Sequence, residues 1–496
     1  MSCKNISQLP TDILLDNILG QLDALSLVQF SSTSRQFAQL GDDELVWKHL
    51  VMRDFHIPLD ASFRQMGWKK LYQRLSDSRV YTWGENIDHR LGLDDSESGS
   101  RTIGVHRFFN SVSVANPQEI TFLRGKNIID IAAGGWSFHA LDRYGDVWMW
   151  GILDKEAHWR HRSRGSDLVR QPTRVNLPDG VKIASISCGR SHVIALDRDG
   201  NVWHWKNIWQ PQRVRLSPST INKNNDYTII QVTANWSQSS ILTNHGEIII
   251  VPLPVTATTT RAGGEQGEGE LISEDLVLDE TSIKKVSLPS IAQNDQLYRS
   301  SSSSSSATKL PRPILEGDTI VQIAGMESET LALSRFGRIY KIDTSVADTL
   351  AFSPCQHTIE YIHFGAKENQ NENNERSKLS RFISATFRTF AVYTLDGQVL
   401  IGKQDHSFDE YPKKLENQGI CKMSFGDYHY GALTNQGSLL TWGAFSAGAL
   451  GHGEVPEGEE SVELDYPKEV EALKDMYVFA IGFGGWHSSV LAIPRN

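Results

Sequence analysis

Three histidines at one position of a recurring segment are the first candidates for chemistry. His192, His429 and His487 each follow a glycine by three residues. A histidine can act as a general base or bind a metal, because its pKa lies near neutral pH. Other copies of the segment carry Ser, Gln, Glu or Thr at this position, and a catalytic role would not tolerate such a series. The pattern therefore favours a structural role, in which a polar side chain ties a loop to a neighbouring strand.

The residue just before that position is aromatic in three copies. Trp136, Tyr428 and Trp486 stand there, whereas three other copies have serine. One interpretation is ordinary packing over the core of each unit. The other is an anchor for a bound protein, because Trp and Tyr dominate binding hot spots. We assign the three aromatic residues to a candidate substrate-binding patch.

Two charged segments are further candidates for binding. Residues 158–164 form a basic loop in which Arg160, Arg162 and Arg164 are candidates for gripping an acidic peptide or a phosphate. Residues 454–475 hold nine acids and two lysines, a net charge of −7 that would attract a basic partner. For both segments the competing interpretation is a solvated surface loop.

Composition and motifs exclude several function classes. The 496 residues include 49 basic and 59 acidic side chains, a net charge of −10 that disfavours nucleic-acid or anionic-membrane partners. The four cysteines are far apart and fit a reducing compartment. The sequence contains no Walker loop, His-Glu-x-x-His or Gly-x-Ser-x-Gly motif. We therefore expect no catalytic residue, no metal and no cofactor.

The N-terminus does not read as a secretory signal, because aspartates interrupt its apolar residues. No stretch approaches the roughly 18 apolar residues that a transmembrane helix requires. We therefore expect a cytoplasmic or nuclear location, or both.

These candidates must be positioned by a set of repeats that begins near Val80. Six copies place an apolar residue four positions before a glycine, and these glycines are 55, 46, 91, 60 and 40 residues apart. Each copy reads as strand, tight turn, strand, because glycine accepts the positive φ that a two-residue hairpin needs. A repeating β-unit of about 40–50 residues predicts a propeller blade. The glycines are Gly145, Gly200, Gly246, Gly337, Gly397 and Gly437.

The consensus Gly-x-x-His-Ser-x-Ala-Leu-x-x-Asp-Gly-x-Val-x-x-Trp-Gly resembles repeats of the regulator-of-chromosome-condensation type. With a last copy at Gly484–Leu491, the resemblance implies a seven-bladed all-β propeller over residues 79–493. We expect the ring to close where Val80–Trp83 meets Val490–Ile493. Residues 254–312, rich in glycine, acids and serine, are predicted to be a disordered insertion in blade four.

The first 78 residues have a helical pattern instead. Leu14, Ile18 and Leu22 recur every four residues, and helix starts are predicted near Pro10, after Asp23 and at Asp42-Asp43-Glu44. The second helix is predicted to carry Leu27, Phe30 and Ser34 on one face. The fold class is therefore α+β multidomain, with a small all-α domain at residues 1–78 before the propeller.

The helical region resembles the F-box motif through Leu9-Pro10-x-Asp12-Ile13-Leu14, Leu25-Ser26-Leu27, Ser34-Arg35 and Leu45-x-Trp47-x-x-Leu50. The resemblance implies binding to the Skp adaptor of an SCF ubiquitin ligase, and through it to a cullin and a RING subunit. Trp47 and Leu50 are at least as well explained as core residues. The implied Skp contacts are Leu9, Pro10, Ile13, Leu14, Ile18, Leu25, Leu27, Val28 and Phe30.

Together the two resemblances imply a substrate-recognition subunit of an SCF (Skp–cullin–F-box) ubiquitin ligase. Such a subunit is not an enzyme: it would hold a protein substrate for ubiquitination and proteasomal degradation. The alternative from another class is a guanine-nucleotide exchange factor for a small GTPase, by analogy with the namesake of the propeller, although fold alone does not carry that activity. A Skp-bound scaffold without a substrate is the third possibility.

Overall fold

In the computed structural model, short N-terminal helices lead into a ring of β-sheets. The structure describes residues 6, 9–10, 13–57, 67–93, 113–155, 168–206, 208–217, 227–252, 275–279, 283–286, 317–344, 359–362, 379–404, 413–415, 419–444, 447–453 and 463–495. Within these ranges, no helix has the length and hydropathy needed to cross a membrane.

The helical region begins with a π-helical turn at Leu14–Ile18 and a 3-10 turn at Leu19–Gln21. Four α-helices follow among the described residues: α1 (Ala24–Ser31), α2 (Arg35–Gly41), α3 (Glu44–Asp54) and α4 (Trp68–Leu75). Asp23 caps α1 by accepting from the Ser26 amide at 2.9 Å, and Asp43 caps α3 by accepting from the Leu45 amide at 2.7 Å. These caps confirm the helix starts predicted after Asp23 and at Asp43.

Ser34 differs from its predicted place on the apolar face of the second helix. The chain leaves α1 at Ser31, and the Ser34 hydroxyl accepts from the Phe37 amide at 3.1 Å as the N-cap of α2. A serine side chain competes with the backbone for hydrogen bonds, which favours a cap over a helix interior. The predicted second helix is therefore two helices.

The propeller is built from 29 strands among the described residues. They are β1 (Arg79–Glu85), β2 (Ser113–Glu119), β3 (Ile128–Ala133), β4 (Ser137–Asp142), β5 (Val147–Ile152), β6 (Leu168–Arg174), β7 (Ile183–Cys188), β8 (Val193–Asp197), β9 (Val202–Trp205), β10 (Gln212–Leu216), β11 (Ile229–Ala234), β12 (Gln238–Thr243), β13 (Ile248–Pro252), β14 (Leu276–Leu278), β15 (Lys284–Val286), β16 (Ile320–Gly325), β17 (Glu329–Ser334), β18 (Ile339–Asp343), β19 (Ile359–Ile362), β20 (Ser380–Thr386), β21 (Thr389–Thr394), β22 (Val399–Lys403), β23 (Lys413–Leu415), β24 (Ile420–Phe425), β25 (His429–Thr434), β26 (Leu439–Gly443), β27 (Leu464–Glu469), β28 (Met476–Phe483) and β29 (His487–Pro494).

These strands form seven sheets in the described part of the chain, which confirms the seven-bladed propeller. Blade 1 has the strand order β2-β1-β29-β28, and blade 2 is β3 to β6. Blade 3 is β7 to β10 with β14, blade 4 is β11 to β13 with β15, and blades 5, 6 and 7 are β16–β19, β20–β23 and β24–β27. The inner strands are β28, β3, β7, β11, β16, β20 and β24, and each contacts the inner strand of the next blade.

Blade 1 closes the ring by combining both ends of the chain. Its strand β1 pairs antiparallel with β29, with Val80 opposite Leu491 and Trp83 opposite Ser488. The predicted meeting of Val80–Trp83 with Val490–Ile493 is therefore confirmed. This pairing fastens the first strand of the ring to the last one, so that both ends of the chain complete a single blade.

The six repeat glycines have the conformation that the hairpin prediction requires. Their φ angles lie between +76° and +88°, in the left-handed region that favours glycine. Each follows the second strand of its blade, so it forms the turn into the third strand. The spacing of these glycines therefore reports the spacing of the blades.

The segment 254–312, which its composition predicts to be a disordered insertion, contains two strands among its described residues. Its residues 275–279 and 283–286 are described, and they contain β14 and β15. β15 pairs with β13 as the outer strand of blade 4, whereas β14 adds in parallel to β10 of blade 3. Short apolar stretches such as Leu276–Leu278 can pair with an open sheet edge even within a polar surrounding. The serine run Ser300–Ser306 lies outside the described residues.

The three repeat histidines are buried and structural. His192 Nε2 lies 2.9 Å from Ser239 Oγ of blade 4, and His429 Nε2 lies 2.8 Å from Ser488 Oγ of blade 1. Burial lowers the pKa of His429 to about 3, which keeps its imidazole neutral. A Cβ at Gly189 or Gly426 would overlap the imidazole three residues later, so the Gly-x-x-His spacing is a packing requirement.

Candidate protein-binding surfaces

The helical region exposes a cluster of aliphatic side chains, which we call the helical patch. It comprises Leu9, Pro10, Ile13, Leu25 and Val28, and the exposed fractions of Leu25 and Val28 are 68% and 49%. Leu9 and Ile13 are exposed to about 40%. Aliphatic side chains this exposed within one short stretch of chain are typical of a surface that another protein covers.

The other four predicted Skp contacts lie deeper. Leu14 and Leu27 are fully buried in the helical core, so in this structure they hold the helices and are not available to a partner. Ile18 and Phe30 are half-buried at the margin of the helical patch. The sequence does not separate the exposed residues from the buried ones, because apolar residues occupy both the inner and the outer sides of these short helices.

Leu45 is an exposed residue that the list of predicted contacts omits. It lies at the second position of α3 with 69% of its surface exposed. Its neighbour Trp47 is buried, and the indole nitrogen donates to Gly41 O at 2.7 Å. The F-box motif contains both residues, but only the structure shows that one faces solvent and the other faces the core.

The helices are docked on the propeller at the end where the inner strands begin. His56 Nδ1 lies 2.9 Å from the carboxylate of Asp130 in β3. Arg74 of α4 donates to Arg495 O at 3.0 Å, and Arg143 of blade 2 donates to the Tyr72 hydroxyl at 3.1 Å. One continuous hydrophobic cluster also spans the two regions. The helical patch is therefore held in a defined orientation relative to the propeller.

The opposite end of the propeller, which we call the mouth, is formed by the loops that join each inner strand to the next strand. Main-chain hydrogen bonds link these loops from blade to blade. Gly135 N donates to Arg190 O at 3.1 Å, Arg190 N to Trp236 O at 3.2 Å, and Trp236 N to Glu327 O at 3.2 Å. Glu327 N continues the series to Phe387 O at 2.6 Å. The side chains of the mouth therefore stand on a rigid rim.

The three predicted aromatic residues all lie on this rim. Tyr428 and Trp486 are 58% and 42% exposed, and Trp136 is half-buried. Within the described residues no ring contact joins the three to one another. These accessible side chains around an opening are compatible with the binding interpretation. They are more exposed than side chains that only pack over the core of a blade.

The strongest side-chain cluster of the mouth was missed from the sequence. The Arg190 guanidinium lies over two indole rings, 4.5 Å from the Trp136 centroid and 4.0 Å from the Trp236 centroid. Trp236 in turn contacts Phe387 edge-on at 5.7 Å. Arg190, Trp236 and Phe387 sit one position earlier in the turn than the aromatic position that the sequence pattern singled out. The signal was present in the repeats, but these residues meet only when the ring closes.

Charged groups of the mouth are partly paired. Arg388 forms an ion pair with Glu327 across blades 5 and 6. Loss of hydration raises the pKa of the Asp427 carboxyl, and the charges of Arg190 and Arg388 act in the opposite direction. Among the described residues that join the inner strands to the next strands, two arginines therefore stand near two acids.

A cavity of about 310 Å³ lies along the propeller axis beneath the mouth. The inner strands line this cavity, and two glutamine side chains form hydrogen bonds between neighbouring inner strands along its wall. Gln231 Nε2 donates to Ile323 O at 2.8 Å, and its Oε1 accepts from Ile323 N at 2.9 Å. Gln322 makes the same pair of bonds to Ile383. These bonds hold the inner strands, and so the rim, in register.

The basic loop with Arg160, Arg162 and Arg164 lies outside the described residues, which end on its N-terminal side at Lys155. Lys155 lies 3.1 Å from Asp88 and 5.8 Å from the Trp136 ring centroid. Across the described ranges, no three His, Cys, Asp or Glu side chains come together as a metal site.

Comparison with known families agrees with both sequence resemblances. A family model described as F-box-like matches residues 6–53. Models described as Regulator of chromosome condensation (RCC1) repeat match residues 77–141 and 436–491, and residues 183–205. The chain therefore carries an F-box-like segment followed by RCC1 repeats.

Two fungal relatives have names that refer to the F-box or to SCF. The chain is 20% identical over 510 residues to F-box protein pof9 of Schizosaccharomyces pombe, covering 99% of this chain and 90% of that protein. It is 20% identical over 334 residues to SCF-associated factor 1 of Saccharomyces cerevisiae, covering 64% of this chain and 43% of that protein.

Solved structures show the same propeller fold. Yeast RCC1 (Prp20), in its complex with Kap60, matches with a TM-score of 0.55 and 18% identity over 85% of this chain and 90% of that chain. Human WBSCR16 matches with a TM-score of 0.54 and 18% identity over 84% of this chain and 100% of that chain. At this identity the likeness concerns the fold alone.

Proposed function

We propose that this protein is the substrate-recognition subunit of an SCF ubiquitin ligase. In this role the helical region binds a Skp adaptor, which brings a cullin and a RING subunit. The propeller binds a protein substrate for ubiquitination and proteasomal degradation. The observation that carries the proposal is the helical patch, an exposed aliphatic surface inside the F-box-like match.

The division between exposed and buried residues supports an adaptor contact at the helical patch. Leu9, Pro10, Ile13, Leu25 and Val28 have no role in the core, while Leu14 and Leu27 fix the helices that present them. Ile18 and Phe30 lie at the margin, where a partner would complete their burial. Covering such a surface removes apolar area from water, which drives association.

The relation between the two surfaces supports a role in positioning. The helical patch lies on elements docked at one end of the propeller, and the mouth lies at the other end. A rigid connection of this kind keeps a bound substrate at a set distance from the ligase scaffold. Ubiquitin transfer then gains from a high effective concentration of the substrate lysine, with no chemistry performed by this chain.

The remaining parts of the proposal follow from this role. We place the protein in the cytoplasm, the nucleus or both, and propose no nucleic-acid, membrane or cofactor partner. Trp136, Tyr428 and Trp486 contribute to the substrate surface, and Arg160, Arg162 and Arg164 remain candidates for binding an acidic group of the substrate. Ubiquitin ligase subunits of this class work in reducing compartments, and the described cysteines, Cys188 and Cys421, form no disulfide.

Affinity purification of the tagged full chain with a proteasome inhibitor, followed by mass spectrometry, tests the function. We expect Skp, a cullin and a RING subunit to co-purify with a stabilised substrate. The double substitution Leu9→Ala with Pro10→Ala should abolish Skp recovery, because both residues belong to the exposed patch, and should leave thermal unfolding unchanged. A control is Tyr466→Ala, which alters an exposed aromatic residue on outer strand β27 of blade 7.

Undiminished recovery of Skp by the double variant would contradict the assignment of the helical patch. Recovery of a nucleotide-free small GTPase in place of Skp and cullin would instead support the exchange-factor alternative. Skp and cullin without any stabilised substrate would support the scaffold alternative.

A further inference from the structure

We propose that Arg190 is the specificity-determining residue of the mouth, and that it binds one acidic group, a carboxylate or a phosphate, on an extended segment of the substrate. This inference rests on the proposed function in one respect, namely that the propeller is the substrate-binding part. The carrying observation is a guanidinium held between two tryptophans with its hydrogen-bond donors unmatched.

The stacking fixes the orientation of the Arg190 side chain. Trp136 lies 4.5 Å and Trp236 lies 4.0 Å from the guanidinium, both measured to the ring centroid. Contacts of this kind occupy the planar faces of a guanidinium and leave its N–H edge available. Phe387 packs edge-on against Trp236 and limits its movement. The arginine is therefore ordered before any ligand arrives, which reduces the entropy lost on binding.

The side-chain donors of Arg190 have no hydrogen-bond acceptor within the described part of the chain. Among these residues its side chain contacts the two tryptophan rings and is attracted at longer range to Asp427, with no hydrogen bond or ion pair. Arg388, the other arginine of the rim, is different, because Glu327 pairs with it. A half-buried guanidinium with free donors matches the bidentate geometry of a carboxylate or phosphate.

Charge balance argues for a single acidic group. Asp427 and Glu327 stand on the same rim, and Arg388 pairs with Glu327, whereas Asp427 forms no ion pair among the described residues and is attracted at longer range by Arg190 and Arg388. A run of several acids would therefore be repelled by these carboxylates. A single acid could reach Arg190, which would then form direct hydrogen bonds to it in place of the longer-range attraction to Asp427. We therefore expect the mouth to prefer a segment with one isolated acidic residue over a segment with several.

The size and surroundings of the opening argue for an extended segment. The cavity of about 310 Å³ that Arg190, Trp236 and Phe387 help to line admits a side chain or a chain end, and it is too small for a folded domain. Around it, Trp486 and Tyr428 offer exposed rings to apolar residues beside the acid. Rings of this kind are the usual anchors of peptide recognition.

The test uses four pools of twelve-residue peptides that are random except at a central position. The fixed residue is glutamate, phosphoserine, glutamine or lysine, and binding to the purified full chain is measured by fluorescence polarisation. We compare the wild type with Arg190→Gln, which removes the charge, and Arg190→Lys, which keeps the charge but loses the planar fork. Arg215→Gln is the control, because Arg215 is an exposed arginine on the outer strand β10 of the same blade.

The wild type should bind the glutamate or phosphoserine pool at least about tenfold more tightly than the glutamine and lysine pools, the size of effect that one charge-assisted hydrogen-bond pair provides. Arg190→Gln should abolish this preference, Arg190→Lys should reduce it, and Arg215→Gln should leave it unchanged. A stronger response to phosphoserine identifies phosphate as the source, and a stronger response to glutamate identifies a carboxylate.

Equal binding of the acidic and glutamine pools by the wild type overturns the proposal, and so does an unchanged preference in Arg190→Gln. If Arg190→Gln fails to fold by circular dichroism, the preference of the wild type and its reduction in Arg190→Lys still decide. Skp recovery from cells is measured on the same variants. Failure of the wild type to co-purify Skp would contradict the proposed function without affecting the peptide result. The failure of the proposed function and the failure of the Arg190 proposal therefore remain distinguishable.

Discussion

The helical patch and the mouth are both exposed binding surfaces, yet they are built in opposite ways. The patch is aliphatic and uncharged, and its residues lie between Leu9 and Val28 in one short stretch of chain. The mouth is aromatic and charged, and it takes one loop from each blade, from Gly135 to Trp486. A surface made by consecutive helices can be recognised as a motif, whereas a surface made by ring closure cannot.

The two surfaces also depend on different foundations. The helical patch rests on a small core in which Trp47, Leu50 and Leu27 are almost fully buried. The mouth rests on main-chain bonds between loops and on histidines that link adjacent blades. One core substitution should therefore damage the patch severely, while the mouth should withstand the loss of a single rim side chain.

The largest effect is expected from Trp47→Ala. The substitution leaves a cavity, removes the hydrogen bond from the indole to Gly41 O, and removes the edge contact to Tyr72 at 5.3 Å. Removing a buried Trp destabilises by about 3–5 kcal/mol, so the helical region should unfold and Skp recovery should be lost. Limited proteolysis with mass spectrometry should show early cleavage between residues 13 and 75, with the propeller still protected.

Leu45→Ala is the matched comparison, because Leu45 lies in the same helix but is 69% exposed. It should change the free energy of unfolding by less than about 0.5 kcal/mol. Comparable proteolytic sensitivity in the two variants would contradict the division between core and patch.

A smaller effect is expected when the pH is lowered, and it should fall on the propeller. Burial lowers the pKa of His429 to about 3, so the folded state resists a proton that the unfolded chain accepts below about pH 6.5. The stability that depends on keeping His429 neutral is therefore fully present above about pH 6.5, and it is lost as the pH falls from about 6.5 towards 3. Each such histidine should remove about 1.4 kcal/mol per pH unit in that interval.

His429→Gln should reduce this pH dependence, because the amide keeps a donor for Ser488 but does not titrate. Chemical denaturation at pH 7 and pH 5 should show a loss of stability smaller by about 2 kcal/mol in the variant than in the wild type. Equal losses in the two proteins would show that another group dominates the acid response.

The smallest effect is expected at the rim. The double substitution Trp136→Ala with Trp486→Ala removes two accessible rings, one of which stacks on Arg190. Capture of a substrate identified by affinity purification should weaken about tenfold, the size of a moderate hot spot. Skp recovery and thermal unfolding should remain unchanged, because both rings lie far from the helical core. Normal substrate turnover by the folded variant would contradict the binding role of these rings.

Particular residues show how far the sequence leads. The glycines from Gly145 to Gly437 predict six hairpins and the blade spacing correctly, because a positive φ is a local demand that a residue type records. Asp23 and Asp43 mark helix starts for the same reason. Ser34 was misread, because a serine fits either the polar margin of a helix or a cap, and only the break after Ser31 distinguishes them.

The candidate sites were predictable in part. The nine implied Skp contacts include all five residues of the helical patch, yet the motif alone does not show that Leu14 and Leu27 point inwards. The residues at the aromatic position of the repeat lie on the rim of the mouth, and their role in binding stays a prediction. Arg190 escaped notice because its two tryptophan partners belong to the preceding and the following blade.

By itself, the sequence determined the two-part organisation of this protein, the number of blades and the closure of the ring by its two ends. Those features follow from periodicity and turn chemistry, which act over a few residues. The tertiary structure alone decided which apolar residues face solvent, that His56 meets Asp130 at the base of the propeller, that β14 joins blade 3, and that Arg190 lies between two indoles. Those features depend on contacts between residues distant in the chain, and such contacts leave no local pattern.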